Sequence, residues 1–163
     1  MTPKVLILGA ARHGKDTAAE LLSELAGWRF QSSSLFIAER AVLPTLGPKY
    51  GYTSVAECYE DRHAHRNEWR DLIRAYNRDD RARLAKELLQ VCNVYVGMRC
   101  HLEYAECVRQ GVFDHVLWVD ASRRVGGHDT SLTIVYTEDD ARVANDGTRA
   151  ELKTQLEEWL WNL

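Results

Sequence analysis

The sequence predicts an α/β fold in three layers: a mainly parallel sheet of about five strands with helices on both faces. Two observations carry the prediction. Short apolar runs ("KVLIL" at 4–8, "NVYVG" at 93–97, "HVLWV" at 115–119) read as strands buried on both sides. The stretches between them repeat their apolar residues at helical spacing, and strands that alternate with helices pair in parallel.

Taken in order, the first strand runs into a glycine loop and then a helix opening at Lys15. Ala18, Ala19, Leu21, Leu22 and Leu25 mark its buried face and Gly27 its end. A serine-rich loop (Ser32, Ser33, Ser34) leads to a shorter helix near 35–43, and Pro44, Gly47, Pro48 and Gly51 mark an irregular segment. Residues 53–91 read as two polar helices broken near Asn77. Thr53 or Ser54 caps the first, and Asp79 or Asp80 opens the second. The strand at 93–97 is followed by a helix over 101–110 that stops at Gly111, and the strand at 115–119 ends at Asp120. "SLTIV" (131–135) reads as a fourth strand, "ARVAN" (141–145) as a short fifth, and 148–162 as a closing amphipathic helix. A sheet of this size needs little helix between its first two strands. The insert at about 45–91 therefore reads as a substrate-side subdomain of a single domain, 1–163.

Composition excludes several classes. With 45% hydrophobic and 28% charged residues the chain has the balance of an ordinary globular domain. A net charge of −3 supplies no general attraction to polyanions, so any nucleic-acid contact needs a local basic patch. No apolar run reaches the roughly 18 residues of a membrane span, and the early first strand leaves no room for a signal peptide. Cys58, Cys92, Cys100 and Cys107 form no C-x-x-C pair and no zinc spacing, which reads as reduced thiols in a cytosolic compartment.

The connection after the first strand carries the chemistry. In "GAARHGKDT", Gly9, Gly14 and Lys15 have the G-x-x-x-x-G-K spacing of a phosphate-binding loop, with the required strand before it and helix after it. Backbone N–H groups of Gly9, Ala10, Ala11, Arg12, His13 and Gly14 would cradle phosphate oxygens, aided by the helix N-terminus. Lys15 brings a mobile charge to the outer phosphates. The position after it holds Asp16 rather than the usual hydroxyl, with Thr17 one place late. A carboxylate is a hard oxygen ligand suited to Mg²⁺, and the Thr17 hydroxyl remains free to donate to a phosphate. The cofactors expected are ATP and Mg²⁺.

This loop resembles that of the bacteriophage deoxynucleoside monophosphate kinases, where G-K-D-T is usual; phosphomevalonate kinases carry a related form. Three further segments resemble the phage group in the same order: "NVYVGMRCHLEY" with Arg99 and Glu103, "HVLWVDASRR" leading to Arg123 and Arg124, and "VANDGTRAEL" with Asn145 and Gly147. The resemblance implies a P-loop kinase of a phage-infected bacterial cytoplasm. It further implies an arginine-bearing lid at about 121–131 hinged at Gly126 and Gly127, and a donor-base loop at Asn145 and Gly147. The chain departs from the pattern where many relatives place an Asp shortly before the arginine of "VYVGMR"; here stand Gly97 and Met98. The work of that acid falls to Asp16 or Asp120. Asp120, at a strand end, has two readings, metal-orienting acid or helix cap. Arg123 and Arg124 have two, lid cations or a solvated basic loop. So do Asn145 and Gly147, base contact or a simple N-D-G turn.

Phosphoryl transfer between anions rests on positioning and charge, for which arginine is suited. Arg99 lies at a strand's C-terminal end, where α/β ligands sit. In the insert, Arg62, Arg66 and Arg70 recur every four residues, with Trp69 and Tyr76 as stacking surfaces. They form either an acceptor site or a solvated face paired with Glu57, Asp61, Glu68 and Asp71. His63 and His65, two apart, do not share a helical face and have no metal role.

Three functions are compatible with these residues. The leading one is transfer of the ATP γ-phosphoryl group to a deoxynucleoside 5′-monophosphate. The second changes the acceptor to the hydroxyl of a hydroxymethyl base within DNA, with Asp16 or Asp61 as general base. The third is a nucleotide-binding regulator without turnover. Trp159 and Trp161 on the last helix are either a homodimer face or core contacts.

Overall fold

The computed structural model describes residues 2–126 and 129–163. Its centre is a five-stranded sheet, all parallel, in the order β2-β3-β1-β4-β5: β1 Val5–Leu8, β2 Phe30–Ser32, β3 Val94–Val96, β4 His115–Asp120 and β5 Ala141–Ala144. β1 is central, with Val5, Ile7 and Leu8 level with His115, Leu117 and Trp118 on one side, and Val5 and Ile7 level with Val94 and Val96 on the other.

Alternation along the strands makes the layers. Val5, Ile7, Val94, Val96, Leu117 and Val119 face α1 (Lys15–Ala26) and the C-terminal helix, where they meet Ala18, Leu22, Leu152 and Leu156. Leu6, Leu8 and Tyr95 point the other way, into a core shared with Phe36, Trp69, Leu84 and Leu88 of the insert. The insert is thus part of the packing of the sheet's second face. It comprises α2 (Ser33–Ile37), a π-helical turn (Ala38–Val42), α3 (Leu43–Tyr50), α4 (Val55–Glu60), a 3₁₀ turn (Asp61–His63), α5 (Arg66–Tyr76) and α6 (Arg83–Leu88). Helices α7 (His101–Arg109) and α8 (Arg149–Trp161) complete the chain.

Three element assignments need correction. The segment 131–135 is not a strand: it runs beside the β3–α7 connection, where the Thr133 amide donates to the Arg99 carbonyl at 2.9 Å and Ile134 is buried. The fifth strand is β2, hidden in the serine-rich stretch because Ser32 both ends the strand and caps α2, accepting the Leu35 amide at 3.4 Å. The segment around Pro44 and Pro48 is helical, not irregular. Pro44 lies in the first turn of α3, where an amide has no helical partner to lose, and Gly51 in the left-handed region (φ 78°) ends the helix.

The break at Asn77 is present, but the stretch before it is two helices, α4 and α5, joined by the 3₁₀ turn, rather than one; Asn77 is buried. Its side chain accepts the Leu84 amide at 3.0 Å and donates to Glu103 at 3.3 Å, tying α5, α6 and α7 together. Ser54 caps α4. Asp80 accepts the Ala82 amide at 2.9 Å just before α6. On α8, Trp159 packs edge-on against Trp28, whereas Trp161 is exposed. The cysteines are free, three of them buried. Among the described residues no helix is long and apolar enough to cross a membrane.

Candidate functional site

The connections leaving the C-terminal ends of the strands converge on the loop after β1. The strand order reverses across β1, and in open α/β sheets that is where ligands are held. The loop's backbone is specialised. Gly9 (φ 147°) is pressed so closely on the Val119 carbonyl oxygen that no Cβ fits, and Gly14 (φ 91°) sits equally tightly under the Asn145 amide. Arg12 adopts the left-handed conformation (φ 63°) at an exposed position, strain of a kind found where a backbone is held for function.

The loop is clamped by the residues that follow β4 and β5. Asn145 Nδ2 donates to the His13 carbonyl at 3.0 Å, and the buried His13 ring accepts the Ala121 amide on Nδ1 at 3.0 Å. His13 and Asn145 therefore serve the loop's shape. Gly147 serves another element: a Cβ there would strike the Glu151 carboxylate, which closes a capping box with Thr148 at the start of α8. The Asp146 carboxylate accepts both the Arg123 and Arg124 amides, at 2.9 and 3.0 Å, and Arg124 Nε donates to the Asn145 carbonyl at 3.0 Å. The 121–125 turn and the 145–147 turn are thus one bonded unit beside the loop after β1. Of the expected Gly126–Gly127 hinge, Gly127 lies outside the described residues.

Lys15, in the first turn of α1, reaches back to the Ala10 carbonyl at 2.8 Å. Burial, with the neighbouring Arg99 charge, pulls its ammonium down to about 8, against the opposing pull of Asp16 and Asp129. Arg99 follows β3 and bonds through Nη1 to Asp129 Oδ2 at 2.7 Å and to Ser131 Oγ at 2.6 Å. Asp129 Oδ2 also accepts the Ala11 amide at 2.8 Å. Burial opposes ionisation of Asp129, but its bonds from Ser131, Arg99 and Ala11 hold the carboxyl well below the usual carboxylate range. Neither Asp129 nor Ser131 stands out in the sequence, because each acquires its partners only when the chain folds.

Of the two acids weighed for the metal, Asp16 is exposed beside Lys15. Asp120 is buried and committed: it pairs with Arg142, accepts the Ser122 amide at 3.0 Å and lies 3.7 Å from His13 Nδ1. Burial works against its charge, yet these donors keep its carboxyl below its ordinary value. Among the described residues no helix opens at Asp120, so it caps none; its bonds to Ser122 open the 121–125 turn.

The insert residues do not form the single face that their spacing implies. Arg62 lies in the 3₁₀ turn, bonded to the Tyr59 carbonyl at 2.8 Å and stacked on its ring; Arg66 donates to His63 Nδ1 at 3.0 Å; Arg70 lies 4.0 Å from Asp71. The turn interrupts the helical phase between Arg62 and the other two. Trp69, expected as a stacking surface, is buried in the core and offers none. Glu103 is largely enclosed; burial raises its carboxyl, with Asn77 acting in the opposite sense.

No protein-family model matches the sequence, and no curated protein is significantly similar to it. Solved structures do match. An unliganded sugar kinase from Janibacter sp. HTCC2649 shares 16% identity over 98% of this chain and 95% of its own, with a TM-score of 0.53. A gluconokinase from Sinorhizobium meliloti 1021 shares 15% over 99% and 95%, with a TM-score of 0.48. At such an identity the first likeness speaks for the fold alone: an α/β architecture built on a five-stranded parallel sheet.

Proposed function

We propose that this protein is an ATP-dependent P-loop kinase that transfers the γ-phosphoryl group to a deoxynucleoside 5′-monophosphate. One observation supports the kinase reading: the loop 9–14, held tightly by Val119, Ala121 and Asn145, offers its Ala11 amide to an anionic oxygen beside the Lys15 and Arg99 cations. Sharing a fold with a protein described as a sugar kinase is consistent with it. The acceptor rests on the resemblance of the loop, strand and turn segments to the phage kinases.

In this reading the loop amides and the α1 N-terminus bind the donor phosphates, and Lys15 follows the transferred group. Arg99 stabilises charge on the equatorial oxygens, and the Arg123–Arg124 turn covers the donor. Mg²⁺ would be held by the Asp16 carboxylate, exposed beside Lys15, whereas Asp120 is occupied by Arg142 and Ser122. When bound, the ion neutralises phosphate charge.

A hydroxyl acceptor, as on a hydroxymethyl base in DNA, is a second reading with its own support. The insert arginines are dispersed onto local partners rather than gathered for a phosphate, and Asp16 is exposed next to Lys15, where a general base is needed.

Labelled ATP with Mg²⁺, offered a panel of free deoxynucleotides and, separately, unmodified and hydroxymethyl-bearing DNA, separates the two. Label on nucleotides alone supports the first acceptor, and label on DNA alone overturns it in favour of the second. ATP binding without transfer to anything would sink both and leave a nucleotide-binding regulator. Lys15→Ala is expected to lower transfer by a hundredfold or more, on the order of losing a principal charge-stabilising group, with an unchanged circular dichroism spectrum. Full activity in that variant would refute the loop assignment.

A further inference from the structure

The phosphate loop already holds an anion, and the chain supplies it. Asp129 Oδ2 sits 2.8 Å from the Ala11 amide nitrogen and 2.7 Å from Arg99 Nη1. Its other oxygen is fixed by the Ser131 amide at 3.1 Å and the Ser131 hydroxyl at 2.5 Å, and Arg99 holds that hydroxyl in turn. One loop amide and one guanidinium on a single anionic oxygen is the donor set that a phosphoryl oxygen takes in a cradle of this kind. The contact joins residues 118 apart in the chain, so it is no accident of local geometry. Burial of Asp129 without such partners would disfavour its charge, and the partners more than offset that.

We infer that the seat formed by the Ala11 amide and Arg99 is the position of a phosphoryl oxygen of the donor, and that Asp129 is its resident competitor. The inference rests on the phosphate-loop reading above. Two anionic oxygens cannot share one position, so MgATP enters only by exchanging with the Asp129 carboxylate. The Ala11 amide and Arg99 keep an anion throughout, and the 129–131 segment is released from the loop when the nucleotide arrives. The apparent affinity for nucleotide is lowered by the fraction of molecules in which the seat is taken. Arg99, held on Asp129 at rest, becomes available to the transferring group only after the exchange, which couples donor entry to completion of the cationic site.

The test compares MgATP binding by calorimetry in the wild type, Asp129→Ala, Asp129→Asn and Ser131→Ala. Removing the carboxylate is expected to tighten binding on the order of tenfold, the scale of one or two charge-assisted hydrogen bonds no longer displaced. Ser131→Ala, which loosens the carboxylate without removing it, gives a smaller change of the same sign. A second readout is the Ala11 amide resonance. In the free wild type it should carry the downfield shift of a bond to an anion, which disappears in Asp129→Ala and returns when MgATP is added. Should Asp129→Ala fail to fold, Asp129→Asn gives both readouts in a nearly isosteric side chain. Equal or weaker MgATP affinity in both Asp129 variants overturns the inference while leaving the nucleotide site standing. Absence of MgATP binding in the wild type and every variant removes the phosphate-loop reading itself.

Discussion

Two residues show most directly how the loop works. Gly14 is needed twice over: its φ of 91° disfavours any side chain, and a Cβ would collide with the Asn145 amide that ties His13 down. Gly14→Ala is expected to cost about 1–3 kcal/mol of stability from backbone strain and to weaken nucleotide binding, measurable by urea denaturation and calorimetry. Lys15 has a pH signature. Its ammonium is pulled down to about 8, so the protonated form that phosphates require is depleted as pH rises through that value. MgATP affinity should be flat from pH 7 to about 7.5 and then weaken, approaching about tenfold per pH unit well above 8, with the step absent in Lys15→Arg. Linkage to stability has the opposite sense. Between about 8 and the ordinary lysine value the unfolded chain binds the extra proton, so the cost of burying Lys15 is full below pH 8 and is relieved as pH rises. Gly9, Gly14 and Lys15 stand out in the sequence because their spacing between a strand and a helix is itself the signal, although Gly9 and Gly14 are pressed on Val119 and Asn145 far along the chain. Asp129 does not, since its meaning comes from Ala11 and Arg99, and nothing local marks it. Trp69 failed in the opposite way: its spacing beside the arginines is real, but its burial was decided by tertiary packing.

At the scale of elements, caps and breaks decided what could be read. The start of helix α8 is fixed by two residues three apart, Thr148 and Glu151, which bond each other's backbone while Gly147 leaves room. Thr148→Ala is expected to lower stability by about 0.5–2 kcal/mol, and Thr148→Ser to restore most of it, by chemical denaturation. Strands were legible where they are apolar on both faces, as in β1, β3 and β4. β2 is half-buried throughout and its last residue doubles as a helix cap, so its signal is that of a loop. The converse error at 131–135 has the same root. An apolar run predicts burial, and Ile134 is indeed buried, but its neighbours bond to the β3–α7 connection instead of a ladder. Arg62 and Arg66 show that a fourfold spacing has meaning only within one uninterrupted helix.

For the molecule as a whole, the question is whether the insert is a separable subdomain or a layer of the same body. Its apolar residues Phe36, Trp69, Leu84 and Leu88 lie in one continuous cluster with Leu6, Leu8 and Tyr95 of the sheet. Without the insert those strand residues would face water, and without the sheet the short helices α4, α5 and α6 would have too little to bury to remain ordered. The two halves should therefore unfold together. Leu88 is fully buried in α6, and truncating it removes contacts from both halves at once. Leu88→Ala is expected to cost about 2–5 kcal/mol, read as a shift of a single urea transition rather than as loss of an early phase. Hydrogen exchange gives the decisive comparison. Leu88 in α6 and Leu8 in β1 should have amides that open with the same free energy in the wild type and fall by equal amounts in the variant. Exchange of the Leu88 amide at a distinctly lower energy, unaffected by denaturant over the range that moves Leu8, would show the insert opening alone. A site spanning the two would then need to be assembled by ligand. With one shared opening, by contrast, the loop after β1 and the insert stand in fixed register in the free protein, because the same buried cluster holds both.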